Sequence, residues 1–310
     1  MEPGFQPGGV GLVNVAGFVR LETKENPGRC SGRQDAALYV RPGCLTLHDM
    51  SGNQSSAAIE MRGVSVGAMR DASFIVIEDA NWTVAPGEFW VIAGQQHSGK
   101  SDWLMLTAGL MAPVQGSCRL FGRDTRTFGE AELAERLRVG LVFDGGQLFN
   151  QLTIRENVAL PLQYHRNLST NTAAPEVQTL LELMELTQLA DITPANVSGN
   201  WLQRAALARA LVLKPELLLL DNPLGRLDAR HRQWWLRFLD RLSRGHEQFG
   251  GRPMTIATTA DDLRPWKSEV RKFVLLHEKK FMVLGSWTEV ETSNHPSVKE
   301  LLAVQLEATI

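Results

Sequence analysis

The chain has 310 residues, 44% hydrophobic and 21% charged, enough to bury a sizeable core in one or two domains. Lys and Arg total 32 against 34 Asp and Glu, a formal net charge of -2. That balance leaves no general electrostatic case for nucleic acid or an anionic membrane surface as a partner.

Cys30, Cys44 and Cys118 fall in no CxxC or other metal-ligand spacing, so reduced cytosolic thiols are expected. No apolar run approaches the roughly 18 residues of a membrane span. The start Met-Glu-Pro-Gly has no basic region ahead of "VGLVNVAGFV", and no secretory signal is expected. Work at a membrane would then go through a partner.

Residues 1–57 are punctuated by Gly, Pro, Ser and Asn with no sustained period, which predicts a flexible or irregular extension. From residue 58 to 310 the pattern is that of one domain. Ile59 to Val66 and Phe74 to Val84 read as strands, and "GEFWVIAG" as a buried strand entering a Gly-rich loop. "KSDWLMLTAGLM" follows as an apolar helix, then "RVGLVF" as another buried strand. "EVQTLLELMEL" and "LQRAALARALVLK" have helical spacing, "PELLLLD" is a strand, and "ARHRQWWLRFLDRLSRG" is an amphipathic helix. "PMTIATT" and "KFVLL" complete the strands, and "HPSVKELLAVQLEA" reads as a closing helix. Alternation of strands and helices predicts an α/β fold with a mainly parallel sheet.

"GQQHSGKS" fits G-x-x-x-x-G-K-[ST] and lies between a predicted strand and a predicted helix, as the motif requires. Four fixed positions arise by composition in such a chain roughly one time in a hundred. The residues Gly94, Gln95, Gln96, His97, Ser98, Gly99, Lys100 and Ser101 are the expected phosphate cradle, in which loop amides and a helix N-terminus converge on phosphate oxygens. Lys100 would reach the β and γ phosphates, and the Ser101 hydroxyl would ligate Mg2+.

After this loop come "LVFDGGQLFNQLTIRENVALPL", "VSGNWLQRAALARAL", "LLLLDNP" and "GRLD", in that order. The series resembles the nucleotide-binding domain of ABC transporters over roughly Ile59 to Val290. The resemblance implies a P-loop NTPase fold of ABC type: a mainly parallel sheet core, an antiparallel β subdomain and a helical subdomain at about 145–200. It implies ATP and Mg2+ as cofactors, with Asp221 as a second metal ligand, and Ser198 and Gly199 donating to the γ-phosphate held by an opposite subunit. The "LVFDGGQLFNQLTIRENVALPL" segment is similar in wording to the ATP-binding subunits of MCE-type lipid transporters of the outer-membrane lipid asymmetry kind.

Where the family places a glutamate that polarises water, this chain has Asn222; where it places the glutamine ending a strand, Asp144; where it places the switch histidine, Ala260. Loss of a positioned general base costs on the order of 10² to 10⁴ in rate. His277 offers no obvious substitute. Asp102 replaces the usual Thr and is expected to set a carboxylate near the α-phosphate, where like charges about 4 Å apart repel by ~1 kcal/mol in water. It also suits the first turn of an empty helix. No aromatic lies at Met69 to Asp71 for stacking on adenine, and Phe74 is the nearest ring. Asn200 and Trp201 replace a Gly and a Gln of the signature. Trp201 would crowd the subunit interface, pack on a partner, or lie half-buried on its own helix. Trp234 and Trp235 are expected to be one surface and one core position.

Three readings follow. In the first, this is an ATP-binding subunit that holds ATP at a hydrolysis-impaired site and pairs with another ATP-binding subunit. An integral-membrane permease, and an MCE lipid-binding protein, would be further partners on the cytoplasmic face of the inner membrane. The second is a non-catalytic regulatory or assembly subunit. The third is an active ATPase with atypical residues, in which Asp144 or Asp261 acts as base. Translation factors of this type carry two domains and DNA-repair relatives long coiled coils, and the chain has room for neither.

Overall fold

In the computed structural model of the protein, residues 10–15, 18–23, 57–128 and 133–303 are described. Strands are β1 Val10–Val15, β2 Phe18–Thr23, β3 Ile59–Ala68, β4 Asp71–Val84, β5 Phe89–Gly94, β6 Gln115–Leu120, β7 Arg123–Asp124, β8 Val139–Val142, β9 Leu217–Leu220, β10 Thr255–Ala260, β11 Arg271–His277 and β12 Lys280–Gly285. Helices are α1 Lys100–Thr107, α2 Leu133–Arg136, α3 Ile154–His165, α4 Thr170–Leu183, α5 Gly199–Leu211, α6 Ala229–Arg244, α7 Trp287–Thr292 and α8 Pro296–Ala303. Within 1–57, the antiparallel pair β1/β2 is described; the rest of the expected extension lies outside the described residues, as do Cys30 and Cys44.

One ten-stranded sheet runs in the order β7-β6-β3-β4-β12-β11-β5-β10-β9-β8. The strands β11, β5, β10, β9 and β8 are mutually parallel, whereas β3, β4, β6 and β7 pair antiparallel. The expected P-loop fold, with its parallel core and antiparallel wing, is therefore present. The helices α3, α4 and α5 pack against one another to form the helical part.

Burial on both faces explains the unbroken leucines. Leu218 and Leu220 enter one apolar cluster while Leu217 and Leu219 enter another on the opposite face, all four fully buried. The neighbouring β5 divides likewise, Val91 and Ala93 to one side and Trp90 and Ile92 to the other. A parallel strand covered on both faces reads as a continuous hydrophobic run, and each leucine so buried contributes about 1.5–3 kcal/mol.

Several elements differ from the sequence expectation. Helix α1 stops at Thr107, before the expected Met111, because Gly109 follows with a φ of 70°. Helix α3 was not expected, although Thr153 and Glu156 form a reciprocal capping box at its start. Strands β6 and β12 were also missed: β6 has few apolar residues, and β12 follows β11 through the left-handed residues Glu278 and Lys279. Cys118 is a free, buried thiol pushed up to about 12 by burial, so it is inert. Among the described residues no helix is long and apolar enough to cross a membrane.

Candidate functional site

The parallel strands deliver their loops to one edge of the sheet, the usual place for a ligand in open α/β sheets. There a cleft of about 500 Å³ is lined by Gln96, His97, Gly99, Lys100, Ser101, Asp102, Asp144, Asp221, Asn222, Gly225, Arg226 and Asp261. Of the expected cradle residues, Gly94 and Ser98 fall outside this lining, and Gln95 is exposed beside it, donating Nε2 to Glu300 Oε2 at 2.7 Å.

Gly94 ends β5, and a Cβ there would lie 2.5 Å from Ser98 Oγ and 2.8 Å from the Leu276 carbonyl. Only glycine fits. Gly99 caps α1 with a φ of 90°, and His97 is also left-handed at 64°, an unusual conformation for a side-chain-bearing residue. The first turn of α1 has no earlier turn to accept its amides, so they face the cleft. Ser98 Oγ is buried and has no hydrogen-bond partner among the described residues. An orphaned donor beside a helix N-terminus suits a phosphate oxygen, so these residues fit the implied nucleotide.

Lys100 Nζ donates to the carbonyls of Gly94 and Gln95, each at 2.6 Å, and pairs with Asp261 Oδ1 at 2.9 Å. Ser101 Oγ donates to Asp221 Oδ2 at 2.8 Å, which joins the two residues expected to hold the metal. A hydroxyl and a carboxylate are oxygen ligands of the kind Mg2+ takes alongside phosphates and water. Thr259 Oγ1 donates to the other oxygen, Oδ1, at 2.8 Å, and accepts from the Asn222 amide at 2.8 Å. Burial raises the Asp221 carboxyl above the ordinary range, the Asp144 charge adds to this, and the Ser101 and Thr259 donors oppose it.

Thr259 escaped the sequence reading. The signal for it is register: Thr258 of β10 sits beside Leu220 of β9, so Thr259 falls next to Asp221. Gly225 and Arg226 were also missed as cleft residues; Arg226 has a φ of 60°.

The structure brings Asp144 and Asn222 into the cleft but leaves Ala260 buried behind it, with Asp261 entering in its place. Asn222 Nδ2 donates to Asp261 Oδ2 at 2.9 Å. Asp102 lines the cleft, and its Oδ1 also accepts from the Met69 amide at 2.8 Å, which ties α1 to the β3–β4 turn.

Phe74 is 60% exposed and outside the cleft lining. His277 meets Ser297 Oγ at 3.1 Å, also away from the cleft. Gln147, three residues after Asp144, is exposed and does not replace the missing glutamine.

Ser198 and Gly199 begin α5, exposed and outside this chain's own cleft. Asn200 Nδ2 donates to Asp228 Oδ2 at 3.2 Å. Trp201 packs edge-on against His231 and shares the Arg204 guanidinium with Trp234, so it lies half-buried on its own helix. Trp235 is in the core and Trp234 is half-buried, stacked on Phe238.

The family profile described as "ABC transporter" matches residues 77–225. A protein of Chlorella vulgaris named "Probable sulfate/thiosulfate import ATP-binding protein" is 34% identical over 231 residues, 74% of this chain and 91% of that one. A sulfate/thiosulfate import ATP-binding protein of Synechococcus elongatus is 40% identical over 179 residues, 57% of this chain and 51% of its own. A spermidine/putrescine import ATP-binding protein of Frankia alni is 39% identical over 184 residues, 59% of this chain and 38% of its own. The chain thus spans about half the length, or less, of these last two relatives.

A solved ATP-binding cassette, a dimer in a post-hydrolysis state bound to ADP and Pi, superposes with a TM-score of 0.63 at 26% identity, covering 72% of this chain and 96% of its own. The wording of residues 141–162 had suggested lipid transport, whereas the names of these relatives are those of sulfate, thiosulfate and polyamine importers. With a matching family profile, a shared fold and a relative matched over nearly its whole length, this chain belongs to the ABC transporter ATP-binding family.

Proposed function

We propose that the chain is an ATP-binding subunit of an ABC transporter whose own site holds magnesium ATP and hydrolyses it very poorly. One observation carries this reading. A single cleft joins Lys100, Ser101 and Asp221, yet presents Asn222, Asp144 and the residue after Ala260 where the family activates water. Bound magnesium would supply charge neutralisation at the phosphates, held by Ser101 and Asp221.

The chain's own groups supply binding without proton transfer. The Asn222 amide cannot accept a proton from water, and its Nδ2 is engaged with Asp261. The Asp261 oxygens are taken by Lys100 and Asn222, which argues against it as the base of an active enzyme.

Pairing with a second ATP-binding subunit is supported by the exposure of Ser198 and Gly199. In a heterodimer these groups would complete a competent partner's site, and that site would drive transport. The loops after Asp144, around Gln147 to Leu162, would dock a permease on the cytoplasmic face of the membrane. Arg209 of α5 donates to the Gly146 and Gln147 carbonyls, which links the docking loop to the signature helix.

Two cargo classes have support. The wording of the docking segment favours lipid, with an MCE lipid-binding protein as a further partner; the names of the relatives favour import of a small anion or polyamine. The relatives carry more weight, because similarity to them extends over as much as 74% of this chain, whereas the lipid wording rests on residues 141–162 alone.

A second functional reading, a non-catalytic assembly subunit, is favoured by the four carboxylates of the cleft, Asp102, Asp144, Asp221 and Asp261, which weaken the attraction of a polyphosphate. Co-purification from the native host, then ATPase assays with and without the partner, tests the proposal. It expects bound adenine nucleotide, negligible turnover alone, and turnover by the complex. Absence of any thermal shift with magnesium ATP leaves the assembly reading.

A further inference from the structure

Asp261 brings a carboxylate into the cleft beside the P-loop lysine. One oxygen meets Lys100 Nζ at 2.9 Å, and the other accepts from Asn222 Nδ2 at 2.9 Å. The Lys100 side chain is only 9% exposed, so the pair is sheltered on one side and differs from an ordinary surface ion pair. With the Gly94 and Gln95 carbonyls, Asp261 completes the three acceptors an ammonium group can serve. A phosphate oxygen that takes Lys100 must displace one of them.

The local sequence builds this arrangement. Ala260 ends β10 with no side chain long enough to reach the cleft, and the next residue turns inward. Asn222 then makes Asp261 welcome, because an amide nitrogen donates to a carboxylate. A glutamate there would set two like charges within contact distance. Gly225 leaves room for that amide, since a Cβ on it would lie 2.5 Å from Asn222 Nδ2. The amide and the carboxylate therefore form a unit: the substitution that removes a base also draws an anion onto the P-loop lysine.

We propose that Asp261 is a specificity-determining residue that occupies the place of a terminal phosphate, so that the cleft of the isolated chain prefers a nucleoside diphosphate to a triphosphate. This inference deepens the nucleotide-binding reading above and rests on it. A diphosphate takes the loop amides and shares Lys100 with Asp261. A further phosphate needs the same ammonium and brings its charge against Asp261 and against Asp144 across the cleft.

Isothermal titration of magnesium ADP and magnesium ATP into wild type, Asp261→Asn, Asp261→Ala and Asn222→Ala decides the matter. Wild type is expected to prefer ADP by about tenfold, the order of one charge-assisted hydrogen bond. Both Asp261 variants move the ATP-to-ADP affinity ratio about tenfold toward ATP, and Asn222→Ala moves it the same way by roughly threefold. Wild type that binds ATP at least as tightly as ADP overturns the inference, and so does a ratio left unmoved by both Asp261 variants. Wild type that binds neither nucleotide overturns the functional reading, and this one with it.

Discussion

The two walls of the cleft are made by the same device, loops at the carboxyl ends of buried parallel strands, yet their chemistry has diverged to opposite degrees. On one wall the loop after β5 keeps its glycines, its lysine and its serine, and Ser101 meets Asp221 at 2.8 Å. On the other, the loops after β8, β9 and β10 carry Asp144, Asn222 and Asp261. Gripping a phosphate needs amides and a cation held by backbone geometry, and here that geometry is intact. Activating water needs one side-chain atom with a free lone pair in one place, and single substitutions remove it. Binding and hydrolysis can therefore separate within one cleft without disturbing the fold.

The comparison breaks most visibly if the second wall is rebuilt. The triple variant Asp144→Gln, Asn222→Glu, Ala260→His is expected to raise the turnover of a reconstituted dimer by about 10² to 10⁴, the usual worth of a positioned base, measured as phosphate release. Next in size is damage to the first wall: Lys100→Ala is expected to weaken magnesium ATP binding about 100-fold, or ~2.7 kcal/mol, by titration calorimetry.

A smaller effect comes from pH. Burial raises the Asp221 carboxyl, so it takes a proton at higher pH than an ordinary Asp. Magnesium needs the ionised form, so on acidification magnesium-dependent affinity should begin to fall at a higher pH than an ordinary Asp would give, by up to tenfold per unit for one proton. The stability contribution has the opposite sign. The folded state binds this proton more tightly, so protonating Asp221 adds stability as pH falls through its raised titration. Urea titrations at a series of pH values, comparing wild type with Asp221→Asn, would show it.

Smallest is Thr259→Val, which removes the donor to Asp221 and the acceptor for the Asn222 amide. It should cost about 1–3 kcal/mol of stability and change magnesium affinity by a few-fold, read by thermal melts and titration.

What the sequence revealed, and what it hid, follows from the range of the interactions. The P-loop is local: eight consecutive residues carry their own turn, cap and lysine, and all can be read off the chain. The buried strands were equally legible because Leu217 to Leu220 need no partner to declare themselves. Thr259, Gly225, Arg226 and the Lys100–Asp261 pair were harder to see. They meet their partners only after β10, β9 and β5 come side by side, and Lys100 and Asp261 stand far apart along the chain. The contact of Asp102 was equally hidden, because the Met69 amide it accepts from belongs to a distant hairpin. Helix α3 is local too, since its capping box is written in "TIRE".

The most direct test is a single-turnover experiment with the purified chain in excess over labelled magnesium ATP, with bound nucleotide identified after quenching. The account predicts that label is retained on the protein as ATP, in a complex that Lys100→Ala abolishes. Rapid conversion of the bound label to ADP and phosphate by the isolated chain would contradict it.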